Sequence, residues 1–158
     1  LTRRIMKNYL LMTIFTAAVF LGSAQTASAC SCIPPQPGVS LKTQVTTSKK
    51  EATAIFVGKV VSIRYSDEKM DGKAVKAYAK IAVTRSWKGP VTEFLEVETA
   101  NICCLCGFTF EDGKTYIIYS NSPDLTSISV SSCSRTSEIT KKSPDEKYLG
   151  NARKPKKS

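Results

Sequence analysis

Hydrophobic and polar positions change their period only a few times along this chain, and each change marks an element. Ile55 to Ile63 is rich in Val and Ile and reads as a strand, with Gly58 inside the run where a bulge or tight bend is expected. Asp71-Gly72 then predicts a turn. Val75, Ala77, Ala79, Ile81 and Val83 alternate with Lys76, Tyr78, Lys80, Ala82 and Thr84, the period of two of a strand with one buried face. Lys88-Gly89-Pro90 breaks that strand. Phe94 to Thr99, Thr115 to Ser120 and Leu125 to Val130 come next as further strands, with Asp112-Gly113 and Ser122-Pro123-Asp124 as turns. Val39 to Lys50 is the one stretch that reads as a helix, and its Thr and Ser content weakens the signal.

Five short strands with no helical repeat between them predict an all-β fold, either a sandwich or a closed antiparallel barrel with a minor helix. The number five favours the partly open Greek-key barrel called an OB fold. Trp87, Phe56 and Phe108 are expected in its core, and Gly107 as a backbone necessity.

The first 29 residues obey a different logic. Arg3, Arg4 and Lys7 give a positive start, Tyr9 to Leu21 is an almost uncharged apolar run, and Ala27-Ser28-Ala29 supplies small residues of the kind a signal peptidase reads. The apolar run is shorter than the roughly 20 residues a membrane span needs. Residues 1–29 are therefore expected to be a signal peptide, with Cys30 as the new N-terminus of a secreted protein. The chain from Cys30 onward is the size of one domain with a single core.

Composition narrows the chemistry. The sequence has no His, which removes His-based acid/base catalysis, Ser-His-Asp and Cys-His nucleophiles and His metal ligation. No catalytic constellation is visible, and an enzyme is not expected. All six Cys (Cys30, Cys32, Cys103, Cys104, Cys106, Cys133) lie after the signal. An even number in a small exported domain reads as a disulfide framework, so neither a cofactor nor a metal of its own is expected. Six Cys allow 15 pairings, among which spacing does not choose. The formal charge of +10 is concentrated at the end, where residues 134–158 hold eight Lys/Arg against three Asp/Glu. Residues 136–158 are expected to be a disordered basic tail, suited to an anionic cell envelope by simple electrostatics.

Several pieces carry a resemblance when taken in order. Cys30-Ser31-Cys32-Ile33-Pro34-Pro35, Ala54-Ile55-Phe56-Val57-Gly58-Lys59-Val60, Trp87-Lys88-Gly89, Cys106-Gly107-Phe108 and Cys133-Ser134 together resemble the N-terminal, netrin-like domain of the tissue inhibitors of metalloproteinases. The resemblance spans residues 30–135 and suggests a bacterial-type single-domain relative. It implies an OB-type barrel with an N-terminal ridge tied down by Cys30–Cys106 and Cys32–Cys133. Each bridge closes a long loop and would stabilise by about 4–5 kcal/mol on the chain-entropy account. Cys103 and Cys104 do not match the family's third bridge: either they form a vicinal Cys103–Cys104 disulfide, or the pairing of the six differs from the one the resemblance implies.

The function implied is inhibition of a zinc metalloprotease. A catalytic zinc keeps one coordination position open, which the Cys30 α-amine and carbonyl oxygen would fill as a chelate. Ser31 would point toward the specificity pocket, while Cys32, Ile33, Pro34 and Pro35 would lie along the cleft like substrate. The prolines restrict the chain to extended forms, so little ordering entropy is left to lose on binding. Two other readings start from the same residues. Ala27-Ser28-Ala29-Cys30 also resembles a lipoprotein processing site, which would make the product a membrane-anchored lipoprotein with a lipidated Cys30. Alternatively, a stand-alone netrin-like module would bind macromolecules through its barrel or tail. The partner expected under the first reading is a protein, with no nucleic acid.

Overall fold

A computed structural model describes residues 30–34, 36–102, 105–123 and 127–155. The expected signal at residues 1–29, Pro35, Cys103 with Cys104, residues 124–126 of the turn and strand expected there, and residues 156–158 of the tail lie outside the described residues. The chain folds in the order α1 (Leu41–Glu51), β1 (Ala54–Tyr65), β2 (Lys69–Met70), β3 (Lys73–Ala74), β4 (Lys76–Lys88), β5 (Phe94–Ala100), β6 (Thr115–Ser120), β7 (Ile128–Ser129), β8 (Ser137–Glu138) and α2 (Glu146–Leu149). The described residues are mostly β with a minor helix, and two disulfides join them.

β1 organises the sheet. It pairs antiparallel with β4 on one edge, from Ile55 opposite Lys88 to Tyr65 opposite Ala77, and with β6 on the other, from Ala54 opposite Ser120 to Lys59 opposite Thr115. Both of its faces are covered between Ala54 and Gly58, which explains why this stretch reads as a continuous apolar run rather than an alternating one. Register shifts interrupt the β1–β4 ladder at Ile55/Phe56, Val57/Gly58 and Val60/Ser62, and such bulges bend a strand and increase its twist. Gly58 stands at one of them because a Cβ there would sit 2.6 Å from the Ala82 carbonyl oxygen. In β4 the expected alternation is realised, with Ala77, Ala79, Ile81 and Val83 buried.

The sheet order is β7-β5-β4-β1-β6-β8, with β7 parallel to β5 and every other neighbour antiparallel. A separate two-stranded hairpin, β2–β3, turns at Asp71-Gly72, where φ is positive at both residues, 51° and 76°. That pair of values suits the tight turn that joins right-twisted strands. Ala54, Phe56, Val60, Ala79, Ile81, Val83, Val97, Phe110, Tyr116, Ile118, Ile128 and Val130 form one core on one face of the sheet. Val45, Ala52, Ile55, Val57, Ile117, Tyr119 and Leu149 form a second core on the other face of β1 and β6, under the helices.

Two expectations require correction. The described residues form a sheet of six strands with open pairing, where five strands were expected. The sixth strand, β8, comes from the segment expected to be a disordered tail. β8 covers the free edge of β6, pairing Glu138 with Tyr116 and Ser137 with Ile117, and an unpaired edge is a liability that such a strand removes. Residues 136–155 are likewise ordered against the sheet. Leu149 is 1 % exposed, and Asp145 and Glu146 are buried. Glu146 accepts from Arg85, the Trp87 indole N–H donates to the Gly150 carbonyl at 2.9 Å, and Arg153 bridges Ser86 through both backbone groups. The charge of this segment is real, but Ile139, Tyr148 and Leu149 supply the apolar contacts that fix it.

Leu149→Ala is expected to cost about 2–5 kcal/mol, the range for emptying a buried leucine site. Urea unfolding would read this directly, whereas a tail that contributed nothing to the fold would leave the midpoint unchanged.

Candidate functional site

The residues singled out at the start of the described chain come together as an exposed ridge. Cys30 is half-buried, whereas Ser31, Cys32, Ile33 and Pro34 are exposed, Ile33 at 95 %. A bare isoleucine of this kind loses the stabilisation that burial of its side chain would bring, roughly 1.5–3 kcal/mol, so its display is not a product of packing. Two bridges hold the ridge in place. Cys30 is joined to Cys106 and Cys32 to Cys133, with Cα–Cα distances of 5.3 and 5.1 Å.

The two anchoring cysteines are themselves tied to each other's loops. Gly107 and Ser131 form an antiparallel bridge, and the Ser132 N–H donates to the Cys106 carbonyl at 2.7 Å. Cys106 adopts φ +52°, a left-handed conformation uncommon for a side-chain-bearing residue, and the Ser132 bond helps to hold it. Next to it, a Cβ on Gly107 would run into the Ala100 carbonyl, so glycine is required there. The Phe108 N–H donates to Thr99 Oγ1 at 2.7 Å, which fastens this loop to the end of β5. The Cys133 loop is closed by Ser134, whose N–H and hydroxyl both donate to the Ser131 carbonyl, at 3.0 and 2.8 Å.

A groove of about 650 Å³ runs beside the ridge. Cys32, Ile33 and Pro34 form one wall, α1 forms the other through Gln44, Ser48 and Glu51, and Tyr119 and Arg135 lie between them. α1 is positioned by Ser40, which caps its N-terminus by accepting from the Thr43 N–H at 3.2 Å, and by Val45, its buried residue. The groove has a polar lock beneath it. Arg135 grips Asp145 through Nε and Nη2 at 2.5 and 2.8 Å and reaches Gln44 Oε1 at 3.2 Å. The Tyr119 hydroxyl donates to the same carboxylate at 2.9 Å. The bond to Asp145 raises the already high pKa of Arg135. Burial, reinforced by the Asp145 charge, raises that of the Tyr119 phenol well above its ordinary value.

Sequence motifs point to the ridge but not to the groove. Gln44, Tyr119, Arg135 and Asp145 lie far apart in sequence, and none belongs to a motif. The one local hint is Arg135, two positions after Cys133, inside a run whose charge is its most visible property. The chain matches no protein-family model and no curated protein.

This geometry leads to two expected outcomes. Replacing Cys32 and Cys133 together by Ser removes a constraint spanning 101 residues and is expected to lower stability by up to about 5 kcal/mol, measured by denaturant unfolding under non-reducing conditions. The second concerns Tyr119, whose folded phenol binds its proton more tightly than the unfolded one. Its contribution is fully present below about pH 10, the ordinary tyrosine value, and is lost as pH rises from there through the raised folded value. Stability measured between pH 8 and pH 12 should fall less steeply for Tyr119→Phe than for the parent chain.

Proposed function

We propose that this protein is a secreted inhibitor of zinc metalloendopeptidases that acts through the residue at its processed N-terminus. The observation that carries this reading is the ridge itself, an exposed Cys30-Ser31-Cys32-Ile33-Pro34 segment clamped at two points to a rigid body. Cleavage before Cys30 would free an α-amine with an ordinary pKa of about 7.7–8.0, which deprotonates readily beside a dication. The amine and the Cys30 carbonyl oxygen then occupy the open position of the target's zinc. Ser31 projects toward the specificity pocket, and Cys32, Ile33, Pro34 and Pro35 run along the substrate cleft. Because the bridges fix the segment before it meets the target, binding loses little conformational entropy.

Two further observations support the reading. The Cys30 thiol is engaged by Cys106, which favours a free amine over a lipidated cysteine, since lipidation consumes the thiol. The strand order with its parallel β5–β7 pair, and a core fed by β1, β4, β5, β6 and β7, support an OB-type barrel left partly open. In that description β8 is an addition at its edge. Mass spectrometry of the exported protein would report whether Cys30 is the first residue, and free.

Adding one Ala before Cys30 turns the amine into an amide and should abolish inhibition of a susceptible zinc endopeptidase while leaving the unfolding midpoint unchanged. Undiminished potency of the extended variant would refute zinc chelation by Cys30.

A further inference from the structure

The ordered tail changes where the positive charge of the molecule lies. The Lys88 ammonium donates to the Lys49 and Lys50 carbonyls at the end of α1, at 3.0 and 3.1 Å. That of Lys49 donates to the Leu149 carbonyl at the end of α2, at 2.7 Å. Arg153 pairs with Ser86 and reaches the Gly89 carbonyl at 2.9 Å. These contacts gather Lys49, Lys50, Lys88, Lys147, Arg153 and Lys154 around the ends of α1, α2 and β4, although in sequence they span more than a hundred positions. Glu146 does not offset them, because it is taken by Arg85, and Glu51 at the end of α1 offsets only one of the six.

We propose that this face docks the protein on an anionic lipid surface. Two features favour a bilayer over a small anion. The cations stand at element ends rather than around a cavity, and none of them lines the three principal grooves. Half-buried Trp87 and Tyr148 lie among them, with the Lys147 ammonium 5.7 Å from the Tyr148 ring centre. Rings of this amphipathic kind suit the headgroup level of a membrane, where lysines meet anionic lipid. Docking here uses neither the ridge nor the groove, so it stands apart from protease inhibition.

The test is co-sedimentation of the full exported chain with large vesicles of phosphatidylcholine alone or mixed with phosphatidylglycerol. Binding is expected only to the anionic vesicles and should weaken steeply with salt. Each lysine near such a surface contributes about a fivefold gain in partitioning. Replacing the exposed Lys50, Lys147 and Lys154 by Gln should therefore weaken binding about a hundredfold. Replacing Lys59, Lys69 and Lys73, which remove the same charge elsewhere, should weaken it far less. Equal losses in the two variants would overturn the assignment of a face, since net charge alone would then explain binding. Retention by soluble polyphosphate with no sedimentation on anionic vesicles would overturn the choice of a membrane.

Discussion

The first part of β1, Ala54 to Gly58, is covered on both faces and paired on both edges, and the rest of the molecule is arranged by that constraint. A strand with this much burial must carry apolar residues in both orientations, as Ile55 with Val57 and Ala54 with Phe56 do. Its carbonyl and N–H groups must also be satisfied without water. β4 and β6 provide that pairing, and the helices and tail cover the face opposite the first core. The bulges around Gly58 let one long strand serve both the curved body and the arm that ends at Tyr65. A substituent at Gly58 would meet both the Ile81 side chain and the Ala82 carbonyl, so the bend has little latitude.

The second core connects this frame to the site. Tyr119, at the end of β6, packs beside Val45 of α1 and Leu149 of α2 and also holds Asp145 through its hydroxyl. Asp145 in turn orients Arg135, two residues beyond the cysteine that anchors the ridge. A buried carboxylate shared by a guanidinium and a phenol is costly to break, because removing either partner leaves charge short of compensation in an apolar setting. The position of α1 relative to the ridge, and hence the width of the groove, is thus linked to a polar network under the surface and to the packing of the tail.

Much of this is legible in the sequence, for identifiable reasons. The alternation from Val75 to Thr84 marks β4 because one face of that strand meets the core and the other does not. The run from Ile55 marks β1 because both faces are buried. Five of the strands in the main sheet are foreseeable, as is the helix near Val39 to Lys50. The two disulfides are legible only through family resemblance, since spacing leaves many pairings equal. The tail reads as disordered because Lys and Arg dominate its composition, while Ile139, Asp145, Glu146, Tyr148 and Leu149 make its contacts with residues remote in sequence. The polar network beneath the groove is invisible for the same reason: Gln44, Tyr119, Arg135 and Asp145 become neighbours only after the sheet and helices have packed.

The spacing of the two bridges imposes an order of events on maturation. Cys30 waits for a partner 76 residues away and Cys32 for one 101 residues away, so the beginning of the domain is secured last. A nascent chain that has not yet delivered Cys133 leaves its leading segment loosely attached and unable to present a fixed shape. The strands of the sheet must pair before the two anchoring loops lie side by side, and oxidation then records that this has happened. Oxidation of both bridges then fixes the leading segment to the body of the domain, and unfinished or reduced chains lack that constraint.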